Sequence, residues 1–287
     1  LFVLSAAHPE QDFEWTARDV GSAYDLQQTL FEMVTDFVDR DAVREAHATH
    51  DAYVAREVDR TVAAVTEDLE RFRFHQAVNE IRSLATLLRQ YRGFATPNEA
   101  VYRRGLRVLA RLVAPMAPYL GEELWNKLRG DGIVARADWP VPDADVADYT
   151  LERRLVRSLR ADVRDIFDEA DGDDAETVEV AVAPAWKYEA YEVAREADPE
   201  AALVGEIMSR EAIQAHGEAA QRYAETLQDR QQRLEPALSQ DEEFAELERA
   251  AWLLADEFDA TVEVRRATPG DDLAGRARPG KPAVYVS

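Results

Sequence analysis

The chain has 287 residues, 57 acidic against 34 basic side chains for a formal charge of −23, and no cysteine. That last fact removes disulfide scaffolds, thiolate metal centres, iron–sulfur ligation and cysteine nucleophiles together, leaving a reducing, cytoplasmic compartment as the expectation. With 46% hydrophobic and 9% aromatic residues it reads as a folded globular protein long enough for two domains, and no apolar run approaches the roughly 18 residues of a membrane span.

The apolar start at residues 1–7 has no basic flank, so no secretory leader is expected, and a chain starting at Leu1 reads as a piece of something longer. From residue 16 to 130 apolar residues recur at helical spacing. Val20, Tyr24, Leu30, Val34 and Phe37 form one stripe, and Val58, Val62, Val65 and Leu69 a second. Phe74, Val78, Ile81, Leu84, Leu88 and Tyr91 form a third, and a fourth runs from Leu106 through Leu109, Val113, Met116, Leu120 and Leu124 to Leu128. This periodicity predicts a bundle of four or five helices. Pro97 separates the third pattern from the fourth, and Pro115 and Pro118 predict a kink or a fresh helix start within the last.

Residues 131–150, with Gly132, Pro140, Pro142 and an acidic DADVAD run, read as a linker. Residues 151–287 read as a small α+β domain. A helix is expected near 151–170, a DGDD turn at 171–174, and a half-buried strand where Val178, Val180 and Val182 alternate with Glu179 and Ala181. Helices are expected near 186–195, 199–210, 213–234 and 242–258, and strands at 260–266 and 282–286. The fold class is therefore mainly α, a helical bundle followed by a small α+β domain.

Charge is unevenly placed along these elements. Lysine occurs only at 127, 187 and 281, so 31 of the 34 basic residues are arginine; an acid-rich, lysine-poor surface suits a halophile, because molar salt shortens the Debye length to about 3 Å. Against that background Arg71, Arg73, Arg82, Arg89, Arg92, Arg103, Arg104, Arg107 and Arg111 face only Glu80 and Glu99 within their own stretch. A second basic island holds Arg265, Arg266, Arg276, Arg278 and Lys281 beside Asp271 and Asp272. Two such islands point to a polyanionic partner; pairing with carboxylates of neighbouring helices is the competing account.

Other motifs carry less. GRARPGKP at 275–282 nearly matches a phosphate-binding loop, but Pro282 replaces the metal-binding hydroxyl and no strand–loop–helix context surrounds it. His47 and His50, near Glu45 and Asp51, read as a solvated face rather than a metal site. No catalytic grouping stands out, so no catalytic residue, metal or cofactor is assigned to the chain. Trp186 and Lys187 admit stacking on a base with a phosphate contact, but a tryptophan beside a strand is more readily core.

LVAPMAPYLGEELWNKL at 112–128 with ARADWP at 135–140 resembles the signature of the anticodon-binding helical domain in class I aminoacyl-tRNA synthetases for branched aliphatic amino acids and methionine. The resemblance gives Pro115, Pro118 and Trp125 a packing role and has Trp139 with Pro140 seal the exit of the bundle. Tyr119 stands where the signature commonly has histidine, and an aromatic is expected to serve the same packing. LFVLSAAHPEQDFEW at 1–15 looks like the end of the stem-contact segment. VEVAVAPAWKYEAYEVA at 178–194, which contains Trp186, with GEIMS at 205–209, YAETL at 223–227 and PGKPAVYVS at 279–287 resembles the C-terminal domain of archaeal and eukaryotic leucyl-tRNA synthetases.

Such enzymes join leucine to tRNA using ATP. The resemblance implies that the chain is the tRNA-holding portion of the ligase. ATP would then belong to a catalytic domain absent here, and the fragment alone would be inactive. Its partners would be tRNA-Leu, with its long variable arm, and the catalytic and editing domains, on the same polypeptide or a separate chain; a monomer with no membrane association is expected. The arginines of 71–111 would lie along the tRNA backbone, and Arg265, Arg266, Arg276, Arg278, Lys281, Tyr285 and Val286 at the variable arm. The alternatives are an acidic helical protein-interaction scaffold with no RNA role, or a piece of a valyl- or isoleucyl-type synthetase.

Overall fold

The computed structural model describes residues 1–6, 17–39, 42–143, 149–169, 176–198, 202–268 and 270–287. The chain forms two compact units, Leu1–Ala147 and Asp148–Ser287. In the first, a short helix α1 (Phe2–Ala6), not anticipated, precedes α2 (Ala17–Asp39), α3 (Thr49–Glu70), α4 (Phe74–Phe94), α5 (Glu99–Val113) and α6 (Pro118–Lys127). The rest of the expected 1–15 segment lies outside the described residues, as do the DGDD turn and most of DADVAD.

The helical stripes become the core as their spacing requires. Val54, Val58, Val62 and Val65 of α3 are fully buried, as are Val78, Ile81 and Leu88 of α4 and Leu106, Leu109 and Leu112 of α5, and α3 packs against both of those helices. Asn98 caps α5 by accepting the Val101 N–H at 3.2 Å. The α5–α6 junction is a break. The Met116 and Ala117 N–H groups turn back to the Val113 carbonyl, and Pro118 opens α6 in its first turn, where its missing donor costs nothing. Gly121 lets α6 cross α5 closely, since a Cβ there would lie 2.7 Å from the Ala114 Cβ and 3.0 Å from the Ala110 carbonyl.

Two of these helices end on a non-glycine residue in the left-handed region, Phe72 (φ 57°) after α3 and Arg129 (φ 53°) after α6. At each end the reversed bonds of a Schellman motif form: Arg73 N–H to Asp68 O at 2.7 Å and Gly130 N–H to Trp125 O at 2.8 Å. Beyond α6 the stretch read as a linker packs on the first unit as far as Asp143. Val134 is buried, and the Asp143 N–H bonds Asp59 at 2.9 Å.

The second unit is built on a three-stranded sheet in the order β2 (Thr261–Arg266), β1 (Thr177–Val182), β3 (Ala283–Val286). β1 runs parallel to β2, with Val180 opposite Val264, and antiparallel to β3, with Val180 opposite Val284. The parallel pair demands a long crossover, supplied by α8 (Ala185–Glu196), α9 (Leu203–Met208), α10 (Glu211–Gln214), α11 (Gly217–Arg230) and α12 (Gln240–Phe258). The central strand is covered more completely than strict alternation predicts, because Ala181 is as buried as Val180 and Val182. Leu155, Leu159 and Val163 of α7 (Thr150–Glu169) join Leu247 and Leu254 of α12 in this core.

A second cluster gathers Trp186, Ala190 and Val193 against Leu203, Ile207, Ile213 and Leu227. The helix expected over 213–234 begins later, after a break at Gly217 (φ 55°), and ends at Arg230. A five-residue helix, α13 (Asp272–Arg276), ends on the first two residues of GRARPGKP and is capped by Asp271, which accepts the Leu273 N–H at 2.8 Å. The string then closes a tight turn over Pro279 and Gly280, with Arg278 and Lys281 exchanging backbone bonds at 3.0 and 2.9 Å. It forms no phosphate loop.

Candidate nucleic-acid interface

The residues Glu99–Val113 bury their apolar face and turn their arginines outward at helical spacing. The partners of those arginines differ. Arg103 pairs with Glu99 at 2.7 Å and lies 4.8 Å over the Phe37 ring. Arg104 is held between the buried Asp59 and Asp143, the latter at 2.8 Å. Arg107 and Arg111 have no carboxylate partner among the described residues. Their guanidinium groups lie 5.7 and 5.6 Å from the Trp125 ring centroid. Arg107 Nη2 donates to the carbonyls of Leu128 and Arg129, both at 3.2 Å, and its Nε is buried with no acceptor. Arg111 donates from Nε to the Arg107 carbonyl at 3.2 Å and from Nη1 to the Asp138 carbonyl at 3.4 Å. Burial, followed by the charges of Arg107 and Arg104, pulls the Arg111 pKa below its usual value.

Trp125 is fixed from the other direction. Its indole N–H donates to the Asp131 carbonyl at 3.2 Å, and a Cβ on Gly130 would fall 2.1 Å from the ring, so only glycine fits there. This gives the 112–128 signature its physical content: the turn after α6 seats an indole under two arginines. Arg129, exposed in that turn, was not singled out from sequence, and Gly130 was read only as a breaker at the end of the bundle; the LRG triplet following a helical pattern was the available signal.

The remaining arginines of the first island are largely tied to acids. Arg71 pairs with Glu67 at 2.7 Å, Arg73 with Asp68 at 2.8 Å and Glu67 at 3.1 Å, and Arg92 with Asp36 at 3.2 Å. Arg82 donates to the Ser22 carbonyl at 3.3 Å, and Arg89 is exposed. The local sequence surplus of cations is thus met by carboxylates from other segments, and Glu80 itself is held by Arg60 at 2.8 Å. The structure therefore brings Arg107 and Arg111 together over Trp125 and pairs Arg71, Arg73, Arg92, Arg103 and Arg104 with carboxylates, Arg71 and Arg73 sharing Glu67.

In the second island Arg265 is held by Glu179 and Asp271, and Arg266 by Asp241 at 2.8 Å while stacking 4.2 Å over Phe244. Arg276 and Arg278 are exposed with no ion pair among the described residues, and Lys281 pairs with Asp162 at 3.4 Å. Tyr285 is 52% exposed on β3, whereas Val286 is half-buried opposite Val178.

For single residues the outcomes differ: the core reading of Trp186 holds, whereas the phosphate reading of Lys187 and the packing role expected of Tyr119 do not. Trp186 is core, stacked on His216 at 5.0 Å between centroids and edge-on to Tyr223. Lys187, only 5% exposed, does not await a phosphate. Its ammonium donates to the carbonyls of Ala274 and Ala277 at 2.7 Å and Gly275 at 3.1 Å, closing the end of α13. Burial, aided by Arg278, pulls its pKa down to about 8. Trp186 and Lys187 line a cleft of about 530 Å³ with His216, Tyr223 and Asp271. Tyr119 packs nothing, being 92% exposed. Trp139 stays partly exposed and donates to Thr66 Oγ1 at 2.8 Å, pinning its segment to α3, while Pro140 is buried.

His47 is exposed, but His50 is half-buried in a polar network and does not lie on the solvated face expected of the pair. Arg44 bonds Asp51 with both terminal nitrogens, one at 2.8 Å, and touches His50 at 3.0 Å; the Tyr91 hydroxyl reaches Asp51 at 2.6 Å. Among the described residues no group of three or more His, Cys, Asp or Glu side chains could hold a metal, and no helix is long and apolar enough to cross a membrane.

Residues 51–180 match the family model described as the anticodon-binding domain of tRNA ligase. The whole chain is 39% identical to part of a leucine–tRNA ligase of Halobacterium salinarum, covering 32% of that protein, and 28% identical to one of Pyrococcus abyssi, covering 30%. Over 96% of the chain, identity to the enzyme of Aeropyrum pernix is 30%, covering 29% of it. The chain thus spans about a third of the length of the curated relatives it matches. Among solved structures, the LeuRS of Agrobacterium radiobacter K84 in a ternary complex with tRNA and LeuAMS aligns with half of the chain and 19% of its own, at 27% identity and a TM-score of 0.45.

Proposed function

The chain belongs to the leucine–tRNA ligase family, and on that premise we propose that it is the portion of such an enzyme that grips leucine tRNA. The reading is carried by the likeness to leucine–tRNA ligases, which runs through both units rather than the bundle alone. Activation of leucine with ATP and its transfer then fall to the two thirds of the relatives' length that this chain does not cover, on the same polypeptide or a separate chain. The fragment by itself forms no aminoacyl-tRNA.

In this reading the carboxylate-free arginines beside Trp125 meet the tRNA backbone. The exposed Arg276, Arg278 and Tyr285 meet the long variable arm, where unpaired bases offer faces and edges to a protein. Arginine suits this task in concentrated salt, because its planar fork and stacking survive screening better than the point charge of lysine. The protein acts as a cytoplasmic monomer. A gel-shift competition tests it: leucine tRNA should be displaced by tRNAs with a long variable arm at least tenfold more readily than by tRNAs with a short one. Equal displacement by both rejects variable-arm recognition, and no shift with any tRNA favours the acidic scaffold.

A further inference from the structure

Resting on the tRNA-gripping reading, we propose that Arg107 and Arg111, stacked on Trp125, form a single preorganised seat for one phosphodiester group of the RNA backbone. The argument begins with charge. In a chain of net charge −23 carboxylates are abundant, and they take up Arg71, Arg73, Arg92, Arg103 and Arg104. Arg107 and Arg111 share one indole instead, and every hydrogen bond they make goes to a backbone carbonyl. Carbonyl oxygens hold a guanidinium in place without neutralising it. Burial first, and then the charges of Arg107 and Arg104, loosen the proton of Arg111, with the nearby Asp138 charge offsetting them only in part. Two like charges kept side by side, in a protein with acids to spare, make a site whose missing component is an anion.

Donor accounting agrees. Each guanidinium offers five N–H donors. Arg107 leaves Nε buried without an acceptor, and neither its Nη1 nor Arg111 Nη2 meets an acceptor among the described residues. Both side chains are half-buried rather than extended into solvent, so the rotamer entropy that a free surface arginine loses on binding has already been given up. The exposed Arg129, whose carbonyl anchors Arg107, adds a third cation at the rim. A phosphodiester, with one negative charge shared by two non-bridging oxygens on a tetrahedral centre, matches two adjacent forks; a small spherical anion engages them less completely.

The test uses the complete 287-residue chain and compares wild type with R111Q, R111K and a control, R195Q, which removes an exposed pair with Glu192 on α8. Leucine tRNA affinity is measured across a KCl series. Loss of one phosphate contact should flatten the slope of log K against log salt by about 0.7–0.9. R111Q should do so while weakening binding about tenfold, and R195Q should change neither. R111K keeps the charge and the packing stem, so it should hold the slope and lose about threefold in affinity through the missing fork. A tRNA-binding wild type whose slope and affinity survive R111Q or R111K overturns the seat and leaves the tRNA reading standing, whereas a wild type that binds no tRNA overturns both. Inorganic phosphate, followed by the arginine Nε–H resonances, separates the sources: a seat that binds phosphate alone, with the tRNA slope unmoved by R111Q, is a free-anion site and also overturns the proposal.

Discussion

At residue scale, Glu243 shows how one buried group ties the basic tail to the fold. It is fully buried on α12, and its Oε2 accepts the Gly280 N–H at 2.8 Å, fixing the turn that carries Arg278 and Lys281; Tyr188 lies beside it. Burial pushes its pKa up to about 7, although the Gly280 and Tyr188 contacts act downward. The folded state therefore holds the proton more tightly than the unfolded chain. Stability associated with this group is greatest below the ordinary carboxylate pKa and is lost as pH rises toward about 7. Glutamine keeps an acceptor for Gly280 but carries no charge to bury. E243Q should thus be more stable than wild type at about pH 8, by about 2–3 kcal/mol, with the difference shrinking toward pH 5. Urea melts across that range check it; a difference that does not vary with pH would mean the carboxyl is neutral or ionised throughout.

At the scale of elements, the left-handed residues that close α3 and α6 are places where local preference yields to something else. Phe72 is 67% exposed at a position glycine usually fills, and it touches Phe74 edge to face at 6.1 Å. Removing the side chain relieves the strain of positive φ at the cost of a freer unfolded chain, so F72G should raise stability by about 0.5–1 kcal/mol in thermal melts. A loss instead would show that the phenyl contact outweighs the strain. The same scale shows what was legible beforehand. Long helices announce themselves through a repeated stripe, as Val54–Val65 and Ile81–Leu88 do, but α13 and the break at Gly217 are shorter than any period. Arginine partners were illegible for another reason: which carboxylate meets Arg104 depends on α3 and a loop residue, Asp143, arriving beside α5. The basic islands were visible in the sequence; which of their members stay unneutralised was not.

At the scale of the whole molecule, the net charge of −23 acts on both units. Raising KCl from about 0.1 M to about 2 M shortens the screening length from about 10 Å to under 3 Å and relieves that self-repulsion. Stability should rise over the series, read as an increasing Tm; a fall would show that the surface ion pairs, which salt also screens, contribute more than the repulsion costs. The scarcity of lysine has a practical side. Lys127 sits in the first unit over the Phe31 ring, Lys281 in the second beside Asp162, and Lys187 is sealed behind three carbonyls. Acylating reagents therefore find one accessible ε-amine to mark each unit. Lys187 is modified only when its surroundings open, so its labelling rate is a clock for breathing of the C-terminal half.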